Sequence, residues 1–194
     1  MSSIINASTS SGLIQTADTS GTLELQSGGT TKFTVSSTGA YGQVVSSTAV
    51  ASTSGTSIDF TSIPSWAKRI TVIFNGVSLN STSNFLIQLG AGSVTTSGYS
   101  SSGYAYGGAA TSTAGTVIIS GAASRLTTAN TVICLISSNT WVTSSVYAGD
   151  PSASGGGVST GTITLGGTLD RVRITTVSGT DTFDAGSINI MYEG

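Results

Sequence analysis

Apolar positions recur every second residue along most of this chain, in short runs. Arg171-Val172-Arg173-Ile174-Thr175-Thr176-Val177 sets Val172 and Ile174 on one side and Arg171 and Arg173 on the other, the two-residue period of a strand with one wet face. Ser187-Ile188-Asn189-Ile190-Met191-Tyr192 does the same and aligns Ile188, Ile190 and Tyr192. Arg69-Ile70-Thr71-Val72-Ile73-Phe74 alternates less regularly and then meets Asn75-Gly76, a favoured tight-turn dipeptide that predicts a strand end there. Such runs predict strands near 43–51, 56–60, 69–77, 84–90, 116–120, 131–136, 140–147, 158–165, 169–177 and 186–192. Helical periodicity is missing, and Pro64-Ser65-Trp66-Ala67 fits one turn at most. Short strands between Gly-containing turns, without helices, predict an all-β antiparallel sandwich of jelly-roll type.

The first 42 residues read differently. Short apolar pieces alternate with polar turns: Gly12–Gln26, then Ser27-Gly28-Gly29-Thr30-Thr31, then Lys32-Phe33-Thr34-Val35, then Ser36-Ser37-Thr38-Gly39. Strands this short bury two or three side chains each and cannot build a private core. The expectation is a β-rich stalk or docking arm over 1–42, covered by neighbours such as two further copies, and a sandwich head over 43–194.

Composition sharpens this picture. Only 7% of the 194 residues are charged, against roughly a quarter in ordinary globular chains, while Ser and Thr supply about a third. The regularly spaced Val, Ile, Leu and Phe separate the chain from a low-complexity linker. Six Lys/Arg against eight Asp/Glu leave a net charge of −2. The cations Lys32, Lys68-Arg69, Arg125 and Arg171/Arg173 are scattered, which argues against a nucleic-acid partner. A monomer with so little charge repels its copies weakly, so burial in an assembly is expected. Cys134, the one cysteine, lies in the apolar run Thr131–Ile136 and is expected to be a small buried hydrophobe, without a disulfide. No apolar run approaches the roughly 20 residues of a membrane helix. Met1-Ser2-Ser3-Ile4-Ile5-Asn6 lacks the basic start of a signal peptide, so folding in a cytoplasm is expected.

Candidate chemistry is sparse. The chain has no histidine, which removes Ser-His-Asp and Cys-His catalysis and the commonest metal ligand; no catalytic residue and no cofactor are expected. Asp181 and Asp184 stand three apart and fit turn carboxylates that cap backbone amides, although oxygen-rich turns also suit calcium. Ser154-Gly155-Gly156-Gly157-Val158 lacks the Gly-Lys-Ser/Thr ending of a phosphate loop. Tyr99, Tyr104 and Tyr106 lie among Ser and Gly between Gly98 and Gly108. They form a candidate recognition loop for a host surface glycan, by stacking on sugar rings, or else they cover a sandwich edge or subunit boundary. Trp141 is expected in the core or an interface.

Two stretches carry a resemblance. Gly12-Leu13-Ile14-Gln15-Thr16-Ala17-Asp18-Thr19-Ser20-Gly21-Thr22-Leu23-Glu24-Leu25-Gln26, followed by Thr31-Lys32-Phe33-Thr34-Val35, resembles a segment recurrent in tailed-bacteriophage fibre and other virion proteins. Ile58–Val72, Leu169–Thr176 and Thr182–Ile190 together resemble the terminal β domain of fibre-type virion structural proteins. The resemblance implies a homotrimer with an N-terminal attachment segment and a C-terminal head. An extended shaft is lacking.

These readings lead to one expectation and two alternatives. The chain is expected to be a non-catalytic virion structural protein, made in the host cytoplasm. It would form a trimeric tail or head fibre, docked to other virion proteins through residues 1–42, with a candidate part in host-surface attachment through the tyrosine loop. The subunit contacts are expected on the stripe Ile188, Ile190 and Tyr192. The alternatives are a capsid decoration protein that cements the head, and a polysaccharide-degrading tailspike.

Overall fold

The computed structural model describes residues 22–36, 39–41, 44–105, 108–120, 122–123, 125–149 and 155–194, and the chain divides into two units, Met1–Gln43 and Val44–Gly194. In the first, β1 (Leu23–Ser27), β2 (Thr30–Ser36) and β3 (Gly39–Tyr41) form an antiparallel sheet. Gly28 and Gly29, at φ of 61° and 75°, supply the two left-handed residues of a tight hairpin between β1 and β2. Leu23 pairs with Val35 and Leu25 with Phe33, so one side of this hairpin is apolar.

The second unit contains two antiparallel sheets packed as a sandwich. The larger runs in the order β11 (Gly108–Ser112), β10 (Ser100–Ala105), β15 (Gly156–Thr164), β14 (Thr140–Ala148), β13 (Thr127–Ser137), β7 (Arg69–Leu79), β17 (Phe183–Glu193), β4 (Val44–Ser46), with β5 (Val50–Ala51) also on β17. The smaller runs β12 (Thr116–Ile118), β8 (Phe85–Ala91), β16 (Arg171–Thr176), β6 (Ile58–Thr61), with β9 (Ser93–Val94) on β8. Consecutive strands cross repeatedly from one sheet to the other, as in a jelly roll. No helix occurs among the described residues, and Pro64–Ala67 makes one turn closed by the Ala67 amide on the Pro64 carbonyl at 2.9 Å.

The apolar core lies between the sheets. Phe74 of β7, Phe85 of β8 and Phe183 of β17 are each fully buried. Phe74 meets Phe85 edge-on at 5.4 Å, and Phe85 stacks on Phe183 at 6.2 Å, geometries that suit the ring quadrupoles. Beneath β10, β14 and β15 the interior turns polar. Thr116 and Thr143 share a 2.7 Å hydroxyl bond, Thr131 and Ser145 one of 2.8 Å, and Ser101 Oγ accepts from the Val117 amide at 3.0 Å. Small residues let β12 approach here: a Cβ on Gly161 would stand 2.8 Å from Thr116 Oγ1.

Four expectations change. Asn75-Gly76 does not end a strand, because β7 continues to Leu79. Gly76, at φ of 60°, instead forms a bulge, marked by register shifts against β13 and β17, and pairing resumes beyond it. Cys134 is exposed rather than buried, since Ile133 beside it takes the inward position. The stretch around Tyr104 is not a loop but the paired strands β10 and β11. Finally, Ile188 and Ile190 are buried in this subunit's own core, so they form no exposed stripe for a trimer contact. Their strand is interior, flanked by β7 on one side and β4 and β5 on the other. Tyr192 is half-buried and packs on Trp66 at 5.7 Å.

Gly186 crosses Gly76 at the bulge. It has φ of 90°, and a Cβ there would fall onto the Gly76 carbonyl and within 2.7 Å of the Asn75 oxygen. Gly186→Ala should therefore lower stability by about 1–3 kcal/mol from backbone conformation alone, with the steric overlap adding to it. Urea denaturation would read this as a lower midpoint, and an unchanged midpoint would contradict the crossing.

Candidate functional site

The three tyrosines do not form one patch. Tyr99 and Tyr104 are an odd number of residues apart, and strand alternation sends such residues to opposite faces. Tyr99 is 3% exposed, and its hydroxyl accepts from the Leu89 amide at 2.6 Å and faces the Leu89 carbonyl at 3.3 Å. It ties the start of β10 to β8 as a structural strut. Tyr104 points outward at 65% exposure. Tyr106 lies outside the described residues. Trp141 is buried in the core, with its indole N–H unpartnered.

Asp181 and Asp184 engage separate hydroxyls. Asp184 accepts from Ser78 Oγ. The Asp181 amide donates to Ser178 Oγ at 3.2 Å, and Asp184 lies within β17, so the partners of the two carboxylates are serine hydroxyls and not the backbone amides expected of turn carboxylates. Hydroxyls of Ser178, Ser81 and Ser83 hold the Asp181 carboxyl below its usual range, while its Oδ2 is shielded from solvent without a partner. Among the described residues no group of three or more His, Cys, Asp or Glu side chains is placed to hold a metal ion.

The feature missed in the sequence is a sheet face. Successive outward residues of β11, β10, β15, β14 and β13 stand in register as rows. One row is Ala109, Tyr104, Val158, Val146, Asn130, and the next is Thr111, Ser102, Thr160, Ser144, Val132. Tyr104, Val158 and Val146 are 65%, 56% and 65% exposed. Thr160 Oγ1 donates to the Thr143 carbonyl at 3.0 Å and Thr162 Oγ1 to the Trp141 carbonyl at 3.1 Å. These hydroxyls are thus satisfied within the sheet. Two shallow cavities adjoin these strands: one of about 500 Å³ beside Tyr99, Ser102 and Thr113, and one of about 350 Å³ between Tyr104, Ser144 and Val158. Neither has a charged lining residue.

The head's paired charges stand elsewhere. Arg173 makes a bidentate bond to Asp59 at 2.7 and 2.8 Å across β16 and β6. Asp170 is held below its usual pKa chiefly by its bond to Arg171. Arg69 and Glu193 pair at 3.1 Å on β7 and β17. Comparison of the chain with known protein families, curated proteins and solved structures finds no match, so a functional reading rests on this geometry.

Burial pushes the Tyr99 phenol up from 10.0 to about 12, with the Leu89 amide partly opposing it. The fold favours the neutral phenol, so the associated stability is complete below pH 10 and is lost as pH rises through 12. Between those values wild type should lose about 2–3 kcal/mol more than Tyr99→Phe. Parallel curves in denaturant titrations would contradict the strut.

Proposed function

We propose that this chain is a non-catalytic structural protein of a tailed-bacteriophage particle, a homotrimeric tail or head appendage. Residues 1–42 dock it to other virion proteins, and residues 43–194 form its head. The observation that carries this reading is the state of the β1–β2 hairpin. Leu23, Leu25 and Val35, on its apolar side, are 41%, 47% and 38% exposed. A small three-stranded sheet whose paired apolar side chains lie open to water lacks the packed face that independent stability needs; its side chains suit a covering surface supplied by other chains. The resemblance of Gly12–Gln26 and Thr31–Val35 to virion protein segments points the same way.

The head has a large core, whose bulkiest side chains, Phe74, Phe85 and Phe183 among them, are less than 2% exposed, which suits folding independent of the hairpin. Its surface of Ser and Thr with few charges suits permanent contact within a particle. Because Tyr99 is buried and Tyr104 stands apart from it, a glycan-stacking cluster is not part of this proposal.

A chain starting at Val44 should keep a cooperative unfolding transition yet be missing from purified particles, whereas the full chain is incorporated. Protein mass spectrometry of particles grown with each form reads the difference. Equal incorporation of both forms would overturn the docking role of the hairpin.

A further inference from the structure

The strands β11, β10, β15, β14 and β13 hold no Lys, Arg, Asp or Glu at all. The smaller sheet instead carries the bidentate Arg173–Asp59 pair across β16 and β6. The charges of the larger sheet, Arg69, Asp184 and Glu193, lie on β7 and β17, outside these five strands. We infer that the outer face of these five strands is where the head packs against a second copy of this chain. The inference rests on the homotrimer reading above and names the surface that would join its copies.

Three features of the face argue for that occupant. The first is size. Five strands at about 4.8 Å spacing, with about eight residues on average at roughly 3.4 Å each, span on the order of 650 Å², near the roughly 800 Å² each partner contributes to a stable interface. The second is chemistry. Exposed Tyr104, Val158 and Val146 lie side by side across three strands, the aromatic and aliphatic centre that interfaces favour. Around them Thr160 and Thr162 have their hydroxyls turned into the sheet, so these residues offer methyl groups without leaving donors unpaired. A charged partner would find no counter-charge on these strands. A copy of the same uncharged face, or of the same low-charge surface, avoids that penalty.

The third is the boundary. Along the row Thr162, Val142, Cys134 the next residues are Arg69 and Glu193, an ion pair half open to water. Charge thus returns where the patch ends, the rim expected around a dry centre. Ile188 and Ile190, the stripe first expected to join subunits, are inside the core and do not compete with this face.

The test uses the full chain with one outward substitution, Val158→Lys, and a control, Val177→Lys, at an exposed site beyond β16 and off the face. Masses come from light scattering, folding from the thermal transition, and access to the face from the rate of maleimide labelling at Cys134, which is exposed on the single subunit. Wild type and the control should be trimers with slow labelling. Val158→Lys should keep its transition, run as a monomer and label at least tenfold faster. Should Val158→Lys fail to fold, Thr160→Arg on the neighbouring row reads the same contact. A trimer that survives both substitutions with unchanged labelling overturns this face and leaves the homotrimer standing. A wild-type dimer dissociated by Val158→Lys upholds the face and refutes the trimer. A wild-type monomer overturns both. Oligomers unchanged by Val158→Lys but lost from particles would assign the face to another virion protein and overturn the inference.

Discussion

The register between β7 and β17 is the constraint on which the head depends. The apolar pattern of the two strands already favours one register: Ile70, Val72, Phe74, Ile188 and Ile190 face the core, and a one-residue slip would turn them outward. The close crossing of Gly76 and Gly186 supplies a steric lock: both have positive φ, and the space over the Gly76 carbonyl admits no side chain on Gly186. With that crossing set, Ile188 and Ile190 fall opposite Phe74 and Val72, and the Phe74–Phe85–Phe183 cluster can close between the sheets.

Substitution of hydroxyl for charge links fold to function. A Ser/Thr ladder satisfies its own side chains, as Thr140 and Thr164 do at 2.9 Å, and so a broad face can be neither greasy nor charged. Such a surface offers little charge repulsion to a neighbour and suits close packing with a shape-matched one. The salt bridges lie at partly exposed sites, and an exposed pair of this kind adds little stability. Arg173 and Asp59 are better understood as marking the wet face of the smaller sheet than as holding the fold.

Much of this was legible from two-residue periodicity. β16 shows the alternation that Arg171, Val172, Arg173 and Ile174 announce, and Ile188, Ile190 and Tyr192 do share a side. What periodicity cannot say is what lies opposite that side. A C-terminal strand could be an edge open to a neighbour; here β4 and β5 return from far away in sequence to cover it, a non-local fact. Other misses were parity errors that counting would have caught. Tyr99 and Tyr104 differ by an odd number, as do Ile133 and Cys134, and the structure puts the members of each pair on opposite sides. The charge-free face was likewise written in the sequence, but only the strand order, which brings β10 beside β15, assembles it.

Native-state hydrogen exchange tests the central claim most directly. If the β7–β17 pairing and its glycine crossing organise the head, the amides of Val72, Phe74, Ile188 and Ile190 should be the slowest in the chain. They should exchange only through global opening, with the free energy found by denaturant unfolding. Exchange of these amides through a cheaper local opening, while β14 and β15 stay protected, would contradict the account and move the organising contact to the hydroxyl-rich half of the sandwich.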